Sequence, residues 1–137
     1  MGKPPTIVDL TWQGDLRFAA SSDRTSMTID SAGAAGSSPM QLLGAALAGC
    51  MTIDVAYILT RGRHDLRSLS SRLTAERAQD DPHRFVRVTL HLTVGGNIPR
   101  EAIERAIQLS HDKYCSVWHS MRQDIDFQAT FDADGGD

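Results

Sequence analysis

Two cysteines, Cys50 and Cys115, are the side chains of this chain best suited to covalent chemistry. Cys50 ends the nearly uncharged segment SPMQLLGAALAGC, and Cys115 lies in LSHDKYCSV, just after a predicted amphipathic helix. A thiolate can attack the O–O bond of a peroxide, and a second thiol can then trap the resulting sulfenic acid as a disulfide. The pair is therefore a candidate peroxide-reducing centre. The alternative is that both are small core residues, since free cysteines are commonly buried.

An attacking cysteine needs a nearby positive charge, because an ordinary thiol is only about a few per cent ionised at pH 7. No basic residue lies within one helical turn of Cys50. Asp54, four residues further on, lies on the same helix face and would oppose ionisation of the thiol. We expect Asp54 to be structural, and we expect Arg24, Arg17 or an arginine of a second chain to supply the cation.

Metal and cofactor sites are not predicted. His111 and His119 flank Cys115 at four-residue spacing, but this set has no carboxylate at ligand spacing and no second cysteine nearby in the sequence. A solvated helix face is the expected role of these histidines. The chain also contains no glycine pattern for binding nucleotides and no Ser–His–Asp set, so we expect no cofactor.

The composition is that of a globular protein, with 137 residues of which 41% are hydrophobic and 23% are charged. This length predicts a single domain over residues 1–137. The net charge of −3 gives no electrostatic reason to expect nucleic acid or an anionic membrane as a partner. Two cysteines are too few for a secreted disulfide scaffold, and the N-terminal segment MGKPPTIVDL does not resemble a signal peptide. These features predict a cytoplasmic location.

A long apolar helix is predicted over residues 39–61. Ser38 and Gln41 have the spacing of a capping box at its start, and Gly62 is a natural C-cap. The helix is apolar on nearly every face, so we expect nearly every face to be buried. Gln41 and Asp54 interrupt the apolar run, which favours a core helix over a membrane span.

The remaining pattern predicts an α+β fold with antiparallel sheets, because runs of strands occur without strict alternation with helices. Gly95 and Gly96 are expected to end the fifth strand. The predicted strands are 6–12, 15–20, 26–30, 66–76, 85–94 and 125–131, and the further helices are 99–113 and 115–121.

The two cysteine segments, in this order and at this spacing, resemble those of the OsmC/Ohr family of thiol-dependent organic hydroperoxide reductases. The resemblance covers nearly the whole chain. It implies an intertwined homodimer, with antiparallel sheets wrapped around central helices and two active sites at the subunit interface. It also implies that Cys50 attacks the hydroperoxide, that Cys115 resolves the intermediate, and that a dithiol or a lipoyl-protein is the reductant.

The helix start differs from the family pattern. Well-characterised hydroperoxide reductases begin this helix with Pro-Glu-Gln, and the glutamate positions an active-site arginine, whereas Met40 stands at that position here, followed by Gln41. The family's Gly-Gly-Arg-Asp turn is absent, and Arg24 lies in an Asp-Arg turn instead. Met40 is expected to fill a gap, and Gln41 to cap the helix or hold an arginine weakly. We therefore expect slow turnover, and the alternative function is a non-catalytic dimer that binds small molecules or senses redox state.

Overall fold

The computed structural model describes residues 2–134, which form an α+β arrangement of six strands, two α-helices and short helical turns. The described residues fall into two compact units, one that ends at Leu43 and one that begins at Gly44. Each unit contains one three-stranded sheet. The α+β class predicted from the sequence is confirmed.

The first unit is an antiparallel meander of three strands: β1 (Asp9–Trp12), β2 (Arg17–Ser22) and β3 (Thr25–Asp30). Its two tight turns are made by Asp15 and Asp23, which have φ values of 49° and 50°. Aspartate tolerates this left-handed conformation better than most residues. The sequence therefore placed three strands correctly here, with ends that differ by a few residues.

Helix α1 (Pro39–Arg61) begins with the predicted capping box. The Ser38 backbone N–H donates to Gln41 Oε1 at 2.9 Å, and the Gln41 N–H donates to Ser38 Oγ at 3.2 Å. The C-terminal end differs from the prediction, because Arg63, with φ of 62°, is the residue that adopts the left-handed conformation. The Gly62 N–H still bonds to Ile58 O as a continuation of the helix.

The second sheet consists of β4 (Asp65–Arg77), β5 (Phe85–Asn97) and β6 (Asp126–Asp134), with β5 in the centre. β4 and β5 pair antiparallel, but β6 runs parallel to β5. The expectation of purely antiparallel sheets is therefore wrong. The chain between β5 and β6 includes a helix, and such a crossover returns the chain to the same end of the sheet, which makes the next strand parallel.

Strand β5 continues through the two glycines that were expected to end it. Gly96 has φ of 127°, and a Cβ at this position would lie 1.9 Å from the Asp65 backbone oxygen. Only glycine permits this approach of β4 to β5. The two glycines therefore lie within the sheet, and the prediction that they end the strand is wrong.

The segment that leads to Cys115 contains helix α2 (Arg100–Leu109), followed directly by a π turn (Ser110–Tyr114). A 3-10 turn covers Trp118–Ser120. The predicted helix over 99–113 is thus an α-helix for its first part only. The predicted helix over 115–121 is reduced to the short 3-10 turn.

Helix α1 buries one stripe completely, and its other residues are half-buried or exposed. The prediction that nearly every face is buried is wrong for a single chain, because Ile53 and Tyr57 are 68% and 61% exposed. The length and composition of α1 would also allow it to cross a membrane. This is weak support for a membrane span, since core helices of soluble proteins have the same properties. The buried stripe is Gly44, Leu47, Met51, Val55 and Leu59.

Candidate functional site

Cys50, Asp54 and Cys115 form one cluster in the second unit. The two sulfurs and an oxygen of the carboxylate all lie within 4.8 Å of one another. Cys50 and Asp54 are one turn apart on α1, so they share a face of the helix. Cys50 is half-buried, whereas Cys115 is fully buried. The structure thus brings together two thiols that are far apart in the sequence, and it adds a carboxylate.

The π turn positions Cys115. The Cys115 N–H reaches back five residues to Ser110 O at 2.8 Å, and this wide turn ends α2. The Trp118 N–H donates to Cys115 Sγ at 3.3 Å. π turns commonly occur at functional sites, where they redirect a side chain. The bond to Ser110 O therefore fixes the backbone of Cys115, and the bond from the Trp118 N–H fixes its sulfur.

An aromatic cluster supports this turn. His111 stacks on Phe127 with ring centroids 5.2 Å apart, and Trp118 lies 5.3 Å from His111. The expectation that His111 is part of a solvated face holds only in part, because its half-buried ring packs against both of these aromatic rings, which also contact each other at 5.1 Å. His119 Nε2 contacts His111 O at 3.0 Å. These histidines therefore fix the loop that carries Cys115.

Burial raises the pKa of Cys115 to about 11. The neighbouring Cys50 acts in the same direction, and the hydrogen bond from the Trp118 N–H opposes the shift. Loss of solvation is the largest of these effects, because burial disfavours the charged thiolate. Cys115 is therefore a neutral thiol at pH 7.

Ser110 is a site residue that the sequence pattern did not indicate. Its hydroxyl donates to Asp54 Oδ2 at 2.8 Å, and the residue is only 1% exposed. The hydrogen-bond partner of Asp54 is therefore a side-chain hydroxyl from the turn that leads to Cys115. No local sequence signal identifies Ser110, because its partner is 56 residues away.

Residues 31–130 of the chain match the family of OsmC-like proteins. The chain belongs to the OsmC-like family. This confirms the resemblance noted in the sequence. The chain is 42% identical over 81 residues to Protein YhfA of Escherichia coli K12, a match that covers 58% of this chain and 60% of YhfA.

Two solved structures share the fold of this OsmC-like chain. A hypothetical protein from Aquifex aeolicus VF5 has a TM-score of 0.90 at 21% identity, covering 98% of this chain and 100% of its own. An organic hydroperoxide resistance protein OsmC from Legionella pneumophila has a TM-score of 0.71 at 16% identity, covering 96% and 98%. At these identities the likeness establishes the fold alone.

The candidate activating arginines lie outside the unit that holds the cysteines. Arg24 is exposed in the turn between β2 and β3, and Arg17 on β2 pairs with Asp15 at 3.5 Å. Among the described residues from Gly44 onward, no arginine donates a hydrogen bond to the Cys50 sulfur. Several arginines of this unit have other partners: Arg67 with Asp65, Arg77 with His83, Arg87 with Asp126, and Arg122 with Asp124.

The helix start carries the two other residues singled out in the sequence. Met40 is half-buried, and its thioether cannot form an ion pair with an arginine. Gln41 uses its side-chain oxygen to accept the Ser38 N–H. Gln41 therefore acts as a helix cap, as the capping box predicted.

The raised pKa of Cys115 predicts that the reduced protein loses stability at alkaline pH. Above pH 9.0 the unfolded thiol ionises, whereas the folded thiol keeps its proton until about pH 11. The free energy of unfolding should therefore fall by about 2 kcal/mol between these values. Urea unfolding in a reductant at pH 8, 9, 10 and 11 measures the slope, and the Cys115→Ala variant should lack this component. Equal pH dependence in both proteins would contradict the shift.

Proposed function

We propose that this OsmC-like protein reduces organic hydroperoxides through Cys50 and Cys115. The observation that carries the proposal is the approach of the two sulfurs to within 4.8 Å, with one thiol half-buried and the other fully buried. The more accessible Cys50 is the one that a substrate can reach. The buried Cys115 is suited to react only with its neighbour.

The reaction has two steps. The Cys50 thiolate attacks the distal oxygen of the hydroperoxide, the O–O bond breaks, and the alkoxide takes a proton and leaves as the alcohol. Cys50 is then a sulfenic acid. The Cys115 thiol attacks the Cys50 sulfur, an S–S bond forms, and the sulfenic hydroxyl leaves as water with the Cys115 proton. The substrate has been reduced by two electrons, and the two thiols have been oxidised.

An external dithiol closes the cycle. A small dithiol or a lipoyl group on a protein exchanges with the disulfide and restores both thiols. The segment around Cys50, LAGCM, is apolar, which suits alkyl hydroperoxides better than hydrogen peroxide. The acidic net charge gives no electrostatic support for nucleic-acid or membrane partners, and the resemblance of the chain favours a cytoplasmic location.

The working form is proposed to be an intertwined homodimer, with sheets that wrap around the central helices. One chain leaves large apolar side chains in solvent on α1 and on the first sheet, and an exposed surface of this kind marks a protein interface. On α1, exposed Ile53 lies one turn from Cys50, and exposed Tyr57 lies two turns from it. A second copy that covers this face would place Cys50 at the interface. The exposed apolar residues of the first unit are Ile7, Val8, Leu10, Trp12, Leu16 and Met27.

A non-catalytic function is the second candidate, because Asp54 lies beside both sulfurs. A carboxylate at this distance disfavours a thiolate. In the described residues from Gly44 onward, the partner of Asp54 is the Ser110 hydroxyl. A dimer that binds small molecules or changes its redox state slowly would need no activating arginine.

Peroxide treatment tests the proposed reaction. One equivalent of an alkyl hydroperoxide should consume both thiols and leave an intrachain disulfide, detected by mass spectrometry as a loss of two hydrogens. The Cys115→Ser variant should accumulate sulfenic acid at Cys50, because no resolving thiol remains. The Cys50→Ser variant should not react. Thiols that stay reduced in excess peroxide would support the non-catalytic dimer.

Arg24 is predicted to support the attack by Cys50. Replacing it with alanine should slow the second-order rate with an alkyl hydroperoxide by roughly tenfold or more, since about 1.4 kcal/mol of lost stabilisation is a tenfold loss. The Arg24→Lys variant should recover part of the rate. Arg105→Ala, at an exposed position on α2, is the matched control and should leave the rate unchanged. If Arg24→Ala is as fast as the native protein, the activating cation is a different residue.

Light scattering tests the dimer. At micromolar concentration the mass should be about twice the 15.0 kDa of one chain. The Ile53→Lys variant should dissociate, because it places a charge in the proposed apolar interface, whereas Glu104→Lys on the exposed side of α2 should not. A folded, monodisperse monomer of the native chain would exclude the intertwined arrangement.

A further inference from the structure

The carboxylate of Asp54 has no role in the proposed reduction of peroxide, yet it completes a set of three metal-binding groups with the two thiols. The ligand atoms of Cys50, Asp54 and Cys115 all lie within 4.8 Å of one another. We propose that these three side chains bind a thiophilic divalent cation, for which Zn²⁺ is the best fit. Binding of this cation and formation of the disulfide are mutually exclusive states of the site.

The ligand types select the ion. Zn²⁺ binds cysteine sulfur and aspartate oxygen, whereas Mg²⁺ and Ca²⁺ prefer oxygen ligands alone. Two thiolates and one carboxylate supply three ligands and three negative charges. The fourth tetrahedral position would be left for water, as in zinc sites that keep one position open. A site of this composition favours Zn²⁺ over the common hard cations.

The distances require only a small adjustment. In a tetrahedral site, Zn–S bonds of about 2.3 Å and a Zn–O bond of about 2.0 Å place the ligand atoms roughly 3.5–3.8 Å apart. The upper limit of 4.8 Å in the structure is within about 1 Å of that arrangement. Cys50 and Asp54 lie on the same face of α1, so side-chain rotation can bring both ligands inward without moving the helix.

Two of the three ligands already have the supporting hydrogen bonds that metal ligands commonly have. The Ser110 hydroxyl holds Asp54 Oδ2 at 2.8 Å. The Trp118 N–H approaches Cys115 Sγ at 3.3 Å. Among the described residues, the side-chain hydrogen bond to Asp54 is made to Oδ2, so Oδ1 is available as a ligand atom. Half-buried Cys50 provides access from solvent.

Binding would change protonation without any redox step. Zn²⁺ forms two Zn–S bonds, and both thiols release a proton to solvent, so no electron is transferred. A divalent charge reverses the effect of Asp54, because the cation favours both thiolates while the carboxylate compensates the added positive charge. A disulfide needs the sulfurs at about 2.05 Å, which is incompatible with both of them bound to Zn²⁺. Metal binding therefore protects the thiols from oxidation.

Cobalt provides the direct test, because Co²⁺ occupies zinc sites and its thiolate complexes absorb strongly in the near ultraviolet. The reduced, tag-free full-length protein is titrated with Co²⁺ and then with Zn²⁺ under argon. We expect one Co²⁺ per chain, a thiolate-to-cobalt absorption band, and loss of that band when Zn²⁺ displaces cobalt. The release of about two protons per metal is measured in a weakly buffered solution.

Variants then assign the ligands. Cys50→Ser and Cys115→Ser should each weaken or remove the absorption band, and circular dichroism checks that both variants are folded. Asp54→Asn should weaken binding while keeping the band, because both thiolates remain. Ser110→Ala should weaken binding by about 10- to 100-fold as an orienting residue. Glu101→Gln, at an exposed position in the first turn of α2, is the control and should have no effect.

Three results would overturn the proposal: cobalt binding without a thiolate band, a band that is unchanged in both cysteine variants, or equal affinity of the native protein and Asp54→Asn. Every measurement is made without peroxide. Failure of the metal site would therefore leave the peroxide reaction standing, and failure of the peroxide reaction would leave the metal site standing.

Discussion

Burial of one stripe of α1 determines where the reactive groups lie. The stripe repeats every three to four residues, so the side chains at its edge are fixed as soon as the helix packs. Cys50 and Asp54 occupy that edge, between the buried Leu47 and Met51 on one side and the exposed Ile53 on the other. The helix therefore presents a thiol and a carboxylate together, at the border between the core and an apolar surface.

The two thiols have different environments because they are held by different kinds of structure. Cys50 is on a regular helix and remains half-buried, whereas Cys115 follows a π turn that carries it into the core. Burial then raises the pKa of Cys115, which gives the pair a natural division of roles. The accessible thiol can react with a substrate, whereas the buried neutral thiol can react only with the neighbouring Cys50 sulfur. Position in the fold, and not the residue type, makes the two cysteines unequal.

The sequence was informative wherever the signal was local. The capping box of Ser38 and Gln41, the extent of α1 and the existence of all six strands were predictable from spacing and composition. The parallel strand β6, the extension of β5 through Gly96 and the Ser110–Asp54 hydrogen bond were not. Each of these depends on contact with a segment distant in the sequence, which no local pattern encodes. The exposed face of α1 was not predicted, because an apolar composition indicates that a helix face will be buried. It does not indicate whether the same chain or a second chain buries that face.

The carboxylate of Asp54 decides which chemistry the two neighbouring thiols can perform. A carboxylate beside two thiols opposes the charge that peroxide attack requires, so rapid peroxidase chemistry would need a cation to compensate for it. An arginine of the first unit or of a second chain is one solution. A bound metal ion is another, and it turns the same carboxylate from an opposing charge into a ligand. Both solutions place a positive charge among the same three side chains, and only one of them leaves Cys50 free to react. The identity of that charge therefore decides whether the thiol pair is reactive or protected.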